Sequence, residues 1–151
     1  MKLPGGRKTN DQLPGHVGII LDGNGRWAKA RKLPRSEGHR AGGEALDRML
    51  DHVLAVGIPA VSLYAFSTEN WKRPKSEIHA LWSLMNHFFE SRFQKCLEKG
   101  IRIKASGDLS MLPAKNRALI EKVVQGTSKA KGLTANFCVN YGSHDEILQA
   151  A

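Results

Sequence analysis

Cysteine is scarce in this chain of 151 residues: Cys96 and Cys138 are the only two, and they lie far apart. Neither belongs to a CxxC pair or has a histidine at metal spacing, which excludes a disulfide framework and a structural zinc site. Both read as small buried residues in a reducing compartment. Long apolar runs are lacking as well. The uncharged stretch Val53 to Ser67 contains Gly57 and Pro59 and is too short to cross a bilayer. Met1 to Asn10 carries charge with no apolar region after it, so no signal peptide is expected and the predicted location is cytoplasmic, with at most peripheral membrane contact. Aromatic residues make up 7%, and no RRM-like aromatic motif, zinc pattern or long basic helix occurs. Nucleic-acid binding therefore rests on charge alone. Acidic residues are the scarcer charge, 14 against 23 Lys and Arg, for a formal net charge of +9.

That excess is uneven. Residues 1–40 hold nine Lys or Arg against three acids, whereas residues 41–151 hold fourteen against eleven, so polyanion binding is expected near the amino end. Asp22 is the only acid between Gln12 and Ser36. It ends the run HVGIILDGNGRW, His16 to Trp27. Val17 to Leu21 is short, apolar and β-branched, bounded by Pro14 and Gly15 before it and Gly23 after it, which suits a buried strand. Asp22 then stands at a strand's carboxyl end, where ligands bind in open α/β sheets. Gly23 and Gly25 permit close backbone approach, so that N–H groups can point at an anion. One carboxylate among Arg26, Lys29, Arg31, Lys32, Arg35, His39 and Arg40 makes chemical sense as a ligand for a hard cation such as Mg²⁺, which bridges carboxylate to phosphate. A glycine turn leading into a solvated basic helix explains the same residues without a ligand.

Further along, the pattern alternates. Gly42 to Val56 places Leu46, Met49, Leu50, Val53 and Leu54 on one helical face, and Gly57 suits its end. A strand is predicted over Ala60–Phe66. A helix capped by Ser76 runs to Gly100, with Ile78, Leu81, Trp82, Met85, Phe88, Phe89 and Phe93 apolar. A third strand is predicted over Ile101–Ala105, a helix over Pro113–Gln125 with Pro113 as its first residue, a fourth strand over Leu133–Asn140, and a helix from His144. This alternation implies parallel pairing with crossover helices. The expected organisation is a flexible basic leader, 1–14, and one α/β domain, 15–151.

DGNGRW does not stand alone: RSEGHRAG at Arg35–Gly42, LYAFSTENWKRP at Leu63–Pro74 and NYG at Asn140–Gly142 follow it. In this order and spacing they resemble the cis-prenyltransferases, most closely the bacterial undecaprenyl diphosphate synthases, from His16 to the end of the chain. The resemblance implies the family's parallel, non-Rossmann α/β fold. It also implies condensation of an allylic diphosphate, typically farnesyl diphosphate, with isopentenyl diphosphate, repeated in the cis configuration to a long polyprenyl diphosphate that serves as a cell-wall lipid carrier. By motif position, Asp22 is implied as Mg²⁺ ligand and essential carboxylate, and Gly23, Asn24, Gly25 and Arg26 as the diphosphate cradle, with Trp27 beside it and Arg35 and His39 reaching the same group. Ser67, Thr68, Glu69, Trp71 and Arg73 form the implied second substrate region. Asn70 is the family's proposed proton acceptor; an amide is a weak base, so its expected work is orienting substrate. Leu46, Leu50, Leu84, Met85, Phe88 and Phe89 are candidates for the wall of an apolar tunnel, or are simply core.

The resemblance also predicts a departure. Family members continue past NYG into an arginine-rich RxG-type motif, a second metal carboxylate and a WPDF-like stretch, none of which occurs here, and Ser143-His144 stands where many relatives have Gly-Arg. The expectation is a carboxyl-terminally truncated form, a homodimer by family habit, or a diphosphate-binding subunit completed by a partner chain.

Overall fold

The computed structural model describes residues 13–151, so most of the leader expected over 1–14 lies outside the described residues. Four strands form one sheet in the order β1-β2-β4-β3: β1 is Val17–Ile20, β2 Ala60–Ser67, β3 Arg102–Ser106 and β4 Thr134–Tyr141. All pairings are parallel, with Val17 opposite Val61, Val61 opposite Ala135, and Ile103 opposite Ala135. Alternation along the strands sorts the sheet into two faces. Val61, Leu63, Ile103, Ala135, Phe137 and Val139 point to one face and are at most 5% exposed. The other face carries Ile20 and Tyr64, which remain exposed.

The helices explain this asymmetry. Helix α1 is Asn24–Ala30, α2 Arg35–Val56, α3 Lys75–Glu98, α4 Ala114–Gly126 and α5 Ser143–Ala150. Leu46, Leu50 and Val53 of α2, Ile78, Trp82 and Phe89 of α3, and Ile120 and Val123 of α4 join the inward face of the sheet in one apolar core. Gly57, at φ 89°, closes α2 in the left-handed conformation expected of a terminating glycine. Cys96 and Cys138 are free and buried, as expected. Among the described residues no helix is long and apolar enough to cross a membrane.

The strands and α5 differ from expectation by one residue at an end or at both, and the other helices differ more tellingly. Helix α1 begins at Asn24, within the residues read as a glycine turn that a basic helix could follow, and α2 starts at Arg35, seven residues before Gly42. Both follow from one contact: α1 lies so close on α2 that a Cβ at Gly38 would overlap the Asn24 carbonyl oxygen. Packing there outweighs the poor helix propensity of the glycines. Ser76 lies inside α3, whose amino-terminal boundary is Pro74, and Pro113 is the boundary of α4 rather than its first residue. In both cases proline holds extended ψ just before the helix.

Candidate active site

The carboxyl ends of β1, β2 and β4 meet the starts of α2 and α3 around an apolar cavity of about 580 Å³, within the usual range for small-molecule sites. The carboxyl end of β1 was expected there from Asp22; β4 contributes Phe137, Cys138, Val139 and Tyr141. Its polar mouth is set by Asp22, Asn24, His39, Ser67, Asn70 and Arg73, and its depth by Leu46, Met49, Leu81, Met85, Phe88 and Phe89. A second, shallower cavity adjoins it, lined by Gly23, Gly25, Arg26, Lys29, Lys32 and Arg35. Asp22 borders both.

The Asp22 side chain is 70% exposed, receives the Gly23 backbone N–H and pairs with Arg26 at 3.1 Å. Gly23 sits at φ 93°, which lets the chain turn from the strand into α1 and leaves the amide beside the carboxylate. Asp22 is one oxygen donor at an open mouth; among the described residues no cluster of three His, Cys, Asp or Glu could enclose a metal. That donor set fits Mg²⁺ held jointly by a single carboxylate and the phosphates of a ligand.

His39 projects from the second turn of α2. Its Nε2 is buried with no hydrogen-bond partner. Burial, followed by the adjacent Arg35, lowers its pKa from the ordinary histidine value, with Glu77 opposing, so the ring is neutral at physiological pH and its buried nitrogen is open to a ligand. Glu77 was not singled out in the sequence. Its side chain, 13% exposed, bridges Arg35 at 3.2 Å and Arg73 at 2.9 Å, one from each group of implied binding residues. The Arg73–Glu77 spacing of i,i+4 was the available signal.

The FSTENW segment makes a 3₁₀ turn over Thr68–Lys72. Within it the Ser67 N–H donates to Asn70 Oδ1 at 3.2 Å, so the Asn70 amide is held in place at the mouth. Trp71 has another environment: its Nε1–H donates to Asn140 Oδ1 at 2.7 Å and its ring packs on Phe66 and Trp82. Trp27 is half-exposed beneath the Arg31 guanidinium. Neither tryptophan lines either of these two cavities, nor do Thr68 or Glu69. Of the tunnel candidates, Leu46, Leu84, Met85, Phe88 and Phe89 line the apolar cavity, whereas Leu50 faces the core. Tyr141, at the rim, hydrogen-bonds Glu146, which pushes its phenol up to about 12.

The family model described as "Putative undecaprenyl diphosphate synthase" matches residues 20–151. An isoprenyl transferase of Leptospira interrogans serogroup Icterohaemorrhagiae serovar copenhageni (strain Fiocruz L1-130) is 51% identical over 142 residues, covering 92% of this chain and 58% of that protein. The isoprenyl transferase of Bacillus subtilis (strain 168) is 43% identical over 140 residues, covering 93% and 54%. Among solved structures, lavandulyl diphosphate synthase from Lavandula x intermedia, in complex with dimethylallyl diphosphate, superposes with a TM-score of 0.88 at 29% identity, covering 91% of this chain and 59% of that one. The chain thus spans little more than half the length of these relatives.

Proposed function

Since this chain belongs to the cis-prenyltransferase family of isoprenyl transferases, we propose that it binds an allylic diphosphate of farnesyl type and transfers its prenyl group to isopentenyl diphosphate in the cis configuration, extending it toward a long polyprenyl diphosphate of undecaprenyl type. The observation that carries this reading is the joining of a cationic, glycine-lined hollow to a deep apolar cavity, with Asp22 between them. One half suits a diphosphate and the other an isoprenoid tail.

In this reading Arg26, Arg35 and the backbone N–H groups of the Asp22–Arg26 turn neutralise the diphosphate, and the buried His39 Nε2–H donates to one of its oxygens. Preorganised donors of this kind favour carbon–oxygen cleavage because negative charge grows on the leaving group. Asp22 would hold Mg²⁺ against the same oxygens; the bound ion supplies further neutralisation of the departing diphosphate. Glu77 keeps Arg35 and Arg73 at a fixed separation, and Asn70 orients the second substrate at the mouth. The apolar cavity excludes water from the allylic carbon. One proton leaves the condensing isopentenyl unit for each bond formed, and a diphosphate oxygen is a better acceptor for it than the Asn70 amide.

The test is incorporation of labelled isopentenyl diphosphate into extractable polyprenyl product, with farnesyl diphosphate, Mg²⁺ and Asp22→Ala as control. Product that disappears in the control supports transfer. A folded chain that makes none supports a second reading: a diphosphate-binding chain completed by a second copy or another polypeptide. One observation favours that reading, namely that Asp22 is the single carboxylate lining either cavity.

A further inference from the structure

Asn140, near the carboxyl end of β4, is 3% exposed and has φ 49°, in the left-handed region that asparagine tolerates better than most residues with a side chain. Both ends of its amide are used. Oδ1 accepts the Trp71 indole N–H at 2.7 Å, and Nδ2 donates to the Asp108 carbonyl oxygen at 2.8 Å. The Asn140 carbonyl oxygen in turn accepts the Asp108 N–H at 3.2 Å. One buried residue thus joins three segments distant in the chain: the loop after β3, the end of β4 and the 3₁₀ turn after β2. Burial makes an unpaired amide costly, which holds the side chain in the one orientation that satisfies both partners.

The 3₁₀ turn is only half determined from within. The Ser67 N–H donates to Asn70 Oδ1, which sets its shape, and Arg73 pairs with Glu77 on the helix that follows. Both contacts are local, so they leave open how the turn sits against the rest of the sheet. The end of β4 supplies that: Tyr141 lies opposite Ser67 in the register, a Cβ at Gly142 would come within 2.9 Å of Thr68 Oγ1, and Asn140 holds Trp71. The Trp71 ring also packs on Phe66 and Trp82. Apolar packing is non-directional, whereas the hydrogen bond fixes the rotation of the indole. Asn70 immediately precedes Trp71, and both Asn70 and Arg73 line the apolar cavity, so a turned indole displaces them.

We infer that Asn140 is a positioning residue: through the Trp71 indole it fixes the turn that presents Asn70 and Arg73 to the mouth of the cavity, and so shapes the place of the second substrate. Asn140 does not itself line the cavity. The inference rests on the reading that this turn receives isopentenyl diphosphate.

The test is calorimetric titration, with Mg²⁺, of farnesyl diphosphate and, separately, of isopentenyl diphosphate into the wild type, Asn140→Gly, Trp71→Phe and the double variant. Asn140→Gly keeps the left-handed backbone and removes the amide. Trp71→Phe removes the donor and keeps an aromatic ring. Each single variant should weaken isopentenyl diphosphate binding by about tenfold and leave farnesyl diphosphate binding unchanged. The double variant should be no weaker than either single one, because both delete the same contact. Trp71→Phe serves alone if Asn140→Gly does not fold. Equal loss for both ligands, additive losses, or no loss in folded variants overturns the positioning role. A wild type that binds farnesyl diphosphate but no isopentenyl diphosphate overturns the reading of the turn as the second substrate region, and the role of Asn140 with it.

Discussion

His39 is neutral because it is half-buried beside arginines, and this has a consequence for pH. Its folded-state pKa lies below the usual histidine value, so as pH falls the unfolded chain takes up the proton first. The stability this group contributes is therefore present above about pH 6.5 and is lost as pH falls through the lowered folded value. A diphosphate placed on its Nε2 reverses the balance by favouring the protonated ring. Proton NMR titration of the His39 ring is expected to move to higher pH on adding farnesyl diphosphate; an unmoved titration places the anion elsewhere. Trp71 makes the complementary case. It packs against Phe66 and Trp82 and donates to Asn140, so Trp71→Phe should cost about 1 kcal/mol through the lost hydrogen bond and Trp71→Ala about 3 kcal/mol or more through lost packing. Urea unfolding checks both. Its motif position read as a binding residue because a sequence shows a tryptophan beside Asn70 but not which way the ring turns.

The α1–α2 crossing sets two glycines of one helix against each other. A Cβ at Gly38 would overlap the Asn24 carbonyl, whereas one at Gly43 meets nothing within 4 Å. Alanine is the better helix former by about 1 kcal/mol, so Gly43→Ala is expected to stabilise by roughly that amount. Gly38→Ala should instead destabilise by about 1–3 kcal/mol, since the backbone of α1 has to move. Thermal unfolding of the two variants side by side distinguishes them; equal shifts would mean that the helices do not pack this closely. The same contact explains what was illegible in the sequence. NGRWAKA buries one residue, Ala28, and has no apolar periodicity, so its helicity comes from α2 rather than from its own pattern. The longer helices showed their apolar faces at the correct spacing, and the strands their β-branched runs. Which apolar residues faced the cavity, as Leu46 does, and which the core, as Leu50 does, depended on the crossing of helix and sheet and was not in the periodicity.

Taken whole, the molecule is polar and cationic at one end of a cavity and apolar at the other. A ligand that satisfies both ends gains more than either fragment, because the diphosphate meets fixed charge while the tail leaves water. Ligand at about 100 times its Kd should add about 2.7 kcal/mol to folding stability and raise the unfolding temperature. The motifs made Asp22 and its glycines legible, because chemistry of that kind is local in sequence. The bridge from Glu77 to Arg35 was not, because the two residues sit on different helices, distant along the chain. The most direct test of the central claim is calorimetric binding, with Mg²⁺, of farnesyl diphosphate, farnesol and inorganic diphosphate to the wild type and to Asp22→Ala. Farnesyl diphosphate should bind far more tightly than either fragment, and Asp22→Ala should remove the Mg²⁺-dependent part of that affinity without loss of stability, since the side chain is exposed. Farnesol binding as tightly as its diphosphate, or an Asp22→Ala chain binding as well as the wild type, would contradict a site built on Asp22.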